Sequence, residues 1–265
     1  TATQTANFYI TSLIFEPLYT VDTSFNAVPV LAESSELVEN VLTVKLKNNV
    51  LFSDGSKLTA DDVVRSFSAA RNSRYYSTRL ANVLSLSVKN DDLVFTLKRK
   101  DKNALNNLSF PIIKGGATDK FAIGSGRYKI DTEIKPCLKA NENAIRDISK
   151  DIQSIALVEI HQYSTLSHMI KIGSANYIYT PTNLEINTAS SKTSQVLTNT
   201  LVYIGVNSNN LYLQNQNFRK ALSLCINRAG ILSDVYAGAG NATAQPFNPK
   251  ANTLNSKDFS IKLTD

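Results

Sequence analysis

Asp61 and Asp62 are the residues here that look most like catalytic equipment, two adjacent carboxylates at the start of a segment with helical periodicity. Such a pair can divide into acid and base, or share a metal ion. A structural account covers both. Thr59 stands where a helix N-cap belongs, Asp62 completes a T-x-x-D capping box, and Asp61 puts negative charge where the helix dipole favours it. The two histidines, His161 and His168, lie seven residues apart with no third ligand nearby, a poor zinc spacing, so neither a metal nor a cofactor is expected. Gly124-Ser125-Gly126 could suggest a phosphate loop. No lysine-serine/threonine pair follows it, and it leads into a strand pattern, so a tight turn is the better reading. The serines include no G-x-S-x-G elbow, and neither histidine has an acid partner in a recognised arrangement. No catalytic residue is assigned, and the chain does not read as an enzyme.

Cys137 and Cys225 are far apart and outside any metal spacing. A disulfide would need their Cα atoms within about 7 Å. The expectation is two separate, largely buried thiols, Cys137 in a strand and Cys225 on the apolar face of a helix. The formal net charge of +6 raises the question of nucleic acid, but lysines and arginines are scattered singly. Only Lys98 to Lys102 cluster, interrupted by Asp101, and they read as a solvated turn after a strand. No nucleic-acid partner is expected; were the protein exported, its basic surface would instead favour anionic envelope polymers or lipid headgroups. No run of 18 or more apolar residues is present, so nothing reads as a membrane-spanning helix. The chain opens polar at Thr1, without a charged-then-apolar leader.

The elements that must position these groups follow from periodicity. Leu42, Val44 and Leu46 alternate with Thr43, Lys45 and Lys47, as in a strand with one buried face. Ser53-Asp54-Gly55 then supplies a turn, and the helix after Thr59 should bury Val63, Phe67 and Ala70. Leu84, Leu86 and Val88, a turn at Asn90-Asp91-Asp92, then Leu93, Phe95 and Leu97 spell a β-hairpin. One or two helical turns are expected over 101–108, a linker at Gly115-Gly116, and strands at 127–131, near 136–141 and at 155–161. A helix from Thr165 to Ile172 should bury Leu166, Met169 and Ile170 and end at Gly173. Residues 201–206 read as an apolar strand ahead of a helix over 217–227. No internal repeat is visible.

Five segments, in order, carry a resemblance: IFEPLYTVD (14–22), PVLAESSEL (29–37), LFSDGSKLTADDVVRSF (51–67), IGSGRYKI (123–130) and NFRKALSLCINRAGIL (217–232). Their wording and spacing are similar to those of the family-five extracellular solute-binding proteins, the oligopeptide-, dipeptide- and nickel-binding components of bacterial ABC importers. Four departures mark a divergent member. Ser35 stands where the family often has tryptophan, Ser53 where it has histidine, Arg127 where it has proline and Asn227 where it has aspartate.

The resemblance implies an α/β, periplasmic-binding-protein-like (type II) lobe with an inserted β-rich domain and a truncated second lobe. Residues 1–15 and 119–200 would form the amino-terminal lobe, 16–118 the insert, and 201–265 a hinge strand and the start of the second lobe. Family members are roughly twice as long, so the chain reads as an amino-terminal fragment. It would be extracellular or periplasmic, its leader and any lipid-bearing cysteine removed. The implied function is capture of peptides or a similar small solute, as a monomer, for the membrane permease of an ABC importer. A receptor-like or sensory module with the same fold is the alternative. In relatives the loop before the first helix lies at the cleft between two jaws, and Thr3, Gln4 and Thr5 align there without a gap. Short polar residues at that point could pair with peptide main chain; the same residues could equally be a frayed end.

Overall fold

The computed structural model describes residues 5–116, 122–131, 137–146, 152–159, 162, 165–178, 192, 194, 200–243 and 248. Two compact units divide the chain, Thr1–Leu157 and Val158–Asp265.

The first unit opens with helix α1 (Thr5–Ile14), then a small antiparallel pair, β1 (Tyr19–Val21) and β2 (Ala27–Pro29). Strands β3 (Ala32–Val38) and β4 (Val41–Leu46) precede helix α2 (Ala60–Arg71), and β5 (Val83–Lys89) and β6 (Asp92–Leu97) follow it. These four strands form an antiparallel sheet ordered β3-β4-β6-β5. Period-two alternation in β4 and β6 sends Leu42, Val44, Leu93, Phe95 and Leu97 inward, where all are buried. α2 closes this face with Val63, Phe67 and Ala70, as its spacing predicts. Phe67 meets Phe95 edge-on at 6.0 Å between ring centroids and Phe110 at the same distance. One hydrophobic cluster runs from Leu18 to Ile112.

The turns follow the same chemistry. Gly55 sits at φ 81°, and Asn90 and Asp91 both take positive φ, as a tight hairpin with right-handed strand twist requires. The hairpin's alternation slips at one place. A register shift between Val83 and Ser85 turns Leu84 outward, so Val83 rather than Leu84 joins the core. The helical turns expected over 101–108 are a single 3-10 turn, Ala104–Asn107.

A second, smaller cluster joins α1 to an antiparallel sheet of β7 (Tyr128–Asp131), β8 (Cys137–Ala140) and β9 (Ser154–Ala156). Ile14, Tyr128 and Leu138 are its buried members. β9 is shorter than the strand expected over 155–161, and residues 160 and 161 lie outside the described ones. Chain segments on either side of the four-stranded sheet run together beneath it. The Ile112 amide donates to the Glu16 carbonyl at 3.1 Å, and the Tyr19 amide to Leu108 at 3.3 Å.

The second unit contains α3 (Leu166–Lys171), α4 (Leu211–Gln214), α5 (Gln216–Leu224) and α6 (Arg228–Tyr236). Leu166 is buried, Met169 and Ile170 half-buried, and Gly173, at φ 74°, follows the helix end. The helix expected over 217–227 is α5, which ends at Leu224. Asn227 then accepts the Gly230 amide at 2.8 Å as the N-cap of α6, a role asparagine performs as well as the aspartate of the resembling family. Residues 201–206 form no strand. Val202, Tyr203 and Ile204 are exposed by two thirds or more, and the described residues offer no neighbouring strand to pair with them.

Candidate functional site

Of the three residues expected at the ligand, Thr5 is the first residue of α1, while Thr3 and Gln4 lie outside the described residues. The geometry that can be built is the mount that holds α1 from its other end.

That mount starts with close backbone approach. The Gly126 amide donates to the Ile14 carbonyl at 2.8 Å. A Cβ on Gly126 would lie 2.3 Å from the Ile14 carbonyl carbon, and one on Gly124 2.2 Å from the Ile14 oxygen. No side chain fits at either position, so the glycines serve helix–strand contact, and the segment leads into β7 as its sequence indicates. Ser125 between them is buried, and its hydroxyl has no hydrogen-bond partner among the described residues. Among the described residues no base is bonded to it, as an activated nucleophile would need.

The next residue after α1 supplies charge. Glu16 is fully buried, and Arg146 grips both its oxygens: Nε donates to Oε1 at 2.8 Å and Nη2 to Oε2. Planar fork meets carboxylate, the arrangement in which arginine recovers most of what desolvation takes away. Burial pushes the Glu16 carboxyl above its ordinary value, while Arg146 and, more weakly, Arg127 pull it down. Arg127 therefore places a second cation near a single carboxylate, at a position where the resembling family has proline. Asn141, also buried, ties the turn together. Its Nδ2 donates to the Gly126 carbonyl at 2.7 Å, its amide to Arg127 at 2.9 Å, and its Oδ1 accepts the Asn143 amide at 3.1 Å.

The remaining candidates fall into structural places. Asp62 accepts both the Thr59 amide, at 2.9 Å, and the Thr59 hydroxyl, at 2.7 Å, through Oδ2, while its Oδ1 accepts the Gly115 amide at 2.8 Å. Asp61 turns to Arg65 one helical turn on. The two carboxylates thus cap and pair a helix and are not brought to one point. His168 is exposed on α3, and His161 lies outside the described residues. Among the described residues no three His, Cys, Asp or Glu side chains gather in a way that could hold a metal. Cys137 is half-buried in β8 and its thiol is free, as expected. Cys225 is free but exposed, not buried, because the apolar side of α5, with Phe218 and Leu222, is itself uncovered among the described residues.

The Glu16–Arg146 pair, 130 positions apart in sequence, is the part of this site that sequence reasoning missed. Glu16 was visible inside the FEPL motif. Nothing near Arg146 marked it as the partner.

Comparison with known proteins brings this geometry into a family context. The sequence profile of the bacterial extracellular solute-binding proteins, family 5 Middle, matches residues 26–262. The oligopeptide-binding protein AppA of Bacillus subtilis (strain 168) is 27% identical over 278 residues, covering 94% of this chain and 51% of that protein. The structure of Bacillus subtilis AppA in complex with a nonapeptide superposes with a TM-score of 0.72 at 25% identity, over 96% of this chain and 56% of that one. DppA from Helicobacter pylori, in complex with the peptide STSA, gives 0.72 at 19% identity over 96% and 59%. NikA from Brucella suis, in complex with Fe(III)-EDTA, gives 0.74 at 18% identity over 96% and 56%; these last two show the fold alone. The chain spans about half the length of the relatives it matches.

Proposed function

Because the chain belongs to the bacterial extracellular solute-binding proteins of family 5, we propose that it is part of a substrate-binding component that captures peptides, or a similar small solute, outside the cell for an ABC importer. The match over residues 26–262 carries this reading. Its relatives are binding proteins, and this chain too is a carrier without turnover, its Glu16, Asp61 and Asp62 carboxylates all engaged in holding structure. Its partner is the importer's membrane permease, to which it delivers ligand as a monomer.

The Thr3-Gln4-Thr5 segment forms one wall of the ligand cleft. The first-turn amides of α1 have no partners within the helix, and α1 carries no acidic side chain in that turn to occupy them. Short polar residues and backbone donors not used within the helix suit the carbonyls of a peptide main chain. Residues 16–118 form the inserted β-rich domain, a division supported by the separate cluster from Leu18 to Ile112 and by the paired crossing segments at Glu16 and Ile112. The lobe it interrupts is residues 1–15 with 119–200, and 201–265 begin the opposite jaw. A lipid anchor would tether the mature protein at the membrane face.

Native mass spectrometry of protein carrying both jaws, purified without denaturation, tests the assignment. Peptides released on unfolding would support it. A metal chelate as sole cargo, or conversion of added peptide to product, would replace it with a metal-uptake or an enzymatic reading.

A further inference from the structure

The stretch Arg71 to Leu84 holds three arginines and no carboxylate, and Lys98 to Lys102 holds four cations and one carboxylate. The sequence separates them by more than a dozen residues, but the fold does not. Asn82 binds the second stretch directly: its Nδ2 donates to the Arg99 carbonyl at 3.1 Å, and its Oδ1 accepts the Arg99 amide at 3.3 Å. The Lys98 amide donates to the Asn82 carbonyl at 2.8 Å. Two residues further, the Leu84 carbonyl accepts Arg71 Nη1 at 2.8 Å. The beginning of β5 thus has Arg71 on one side and the 98–100 backbone on the other.

Arg71, Arg74, Arg79, Lys98, Arg99, Lys100 and Lys102 are all exposed. The acids at this end of the sheet are Asp101, half-buried, whose Oδ1 accepts the Asn103 amide, and Glu39, which reaches Lys100 only at 3.8 Å. Seven cations against two carboxylates concentrate here most of the chain's formal net charge of +6. The opposite end of the β5–β6 hairpin, with Lys89, Asp91 and Asp92, is about 20 Å away, beyond a physiological Debye length.

The patch is also amphipathic. Tyr75 is 47% exposed and Leu84 46% exposed. Arg79 lies over the Tyr75 ring, 4.8 Å from its centroid, and donates through Nη2 to the Tyr75 hydroxyl at 3.2 Å. Guanidinium forks match phosphate oxygens, and exposed tyrosine and leucine side chains settle at the boundary between headgroups and acyl chains. A soluble anionic polymer would satisfy the charges alone and leave Tyr75 and Leu84 in water.

We propose that this end of the four-stranded sheet is a docking surface for an anionic phospholipid bilayer, with the arginines and lysines on headgroup phosphates and Tyr75 and Leu84 at the interface. The surface is distant in kind from ligand capture, and its test uses lipid instead of peptide, so either reading can fail without the other.

Co-sedimentation of the 265-residue chain with vesicles of equal parts phosphatidylglycerol and phosphatidylcholine, against phosphatidylcholine alone, reads the effect. Binding should require phosphatidylglycerol and weaken with added salt. Removing three cations as Arg74→Ser, Lys98→Ser, Lys100→Ser should reduce partitioning about a hundredfold, each cation contributing about fivefold. Removing three exposed cations elsewhere, as Lys45→Ser, Lys57→Ser, Lys89→Ser, leaves the same net charge and should reduce it far less. Tyr75→Ser should weaken vesicle binding without changing binding to soluble polyglycerol phosphate. Equal loss in the two triple variants would show that only overall charge matters, and would overturn the proposal. So would the absence of binding to the anionic vesicles, or a preference for the soluble polymer that Tyr75→Ser leaves unaltered.

Discussion

Glu16 and Arg146 show how single side chains hold the end of α1 in place. The carboxylate is wholly buried, whereas the Arg146 side chain is 40% exposed, so the two partners are not equivalent when removed. Glu16→Gln leaves a guanidinium that can still turn toward water. Arg146→Met leaves a buried carboxylate stripped of its main partner. We expect Arg146→Met to be the more destabilising, near the about 3–5 kcal/mol that breaking a buried pair costs, and the double variant to recover part of that loss. Urea denaturation of the three variants measures this; an additive double variant would contradict it. Asp54 behaves oppositely and lies near the surface. Lys114 first, then Ser56, bond its carboxylate and lower its pKa from 3.8 to about 2. A folded-state value below the unfolded one means that this contribution is complete above 3.8 and disappears as pH falls towards about 2. Raised by burial, Glu16 carries the reverse sign: its proton-linked contribution is fully present below the ordinary value of 4.5 and is lost as pH rises through the folded one. Asp54→Asn should therefore flatten the pH dependence of the urea midpoint between about pH 4 and 2 and leave that above pH 5 unchanged. None of this was readable from sequence. A charge pair across 130 positions leaves no local trace of the pairing: Glu16 stands among apolar neighbours, but nothing near Arg146 marks it as the partner.

At the scale of elements the sequence was far more informative, and the reason is periodicity. β4, β6 and α2 each bury one face, so alternation or helical spacing records the side that meets the core. The capping box at Thr59 and Asp62 was equally legible, since its geometry is local. What spacing could not show is that Asp62 also accepts the amide of Gly115, 53 positions further along the chain. Asp62→Ala should consequently cost more than the about 1 kcal/mol of an isolated cap, because the Gly115 amide loses its acceptor as well. Asp62→Asn, which keeps an acceptor oxygen, should cost less, and equal losses in chemical denaturation would show that only the cap matters. The failures of sequence reading also have a common cause. The slip at Val83–Ser85 and the unpaired run at 201–206 both depend on what lies beside an element, and a residue pattern describes only the element itself. An apolar run becomes a strand when a neighbour supplies hydrogen bonds, and the described residues supply none.

For the molecule as a whole, the same dependence on neighbours decides where ligand affinity can reside. Unit 2 leaves Tyr203, Ile204, Leu211 and Tyr212 exposed by 70% or more. A peptide bound against one wall keeps half its polar groups in water and gains little from closure, whereas a ligand enclosed by two jaws has those groups matched as they are desolvated. A ligand at one hundred times its dissociation constant stabilises the state that binds it by about 2.7 kcal/mol. Residues 1–265, spanning about half the length of AppA, should therefore show almost no shift of the urea midpoint with a mixture of short peptides. A chain extended to the length of those relatives should show close to the full effect, and Arg146→Met in it should lower affinity if Glu16 and Arg146 hold the mount of α1. Calorimetry giving equal, tight affinity for both chain lengths would place the whole binding site within these residues, and the two-jaw division of the ligand's contacts would be wrong.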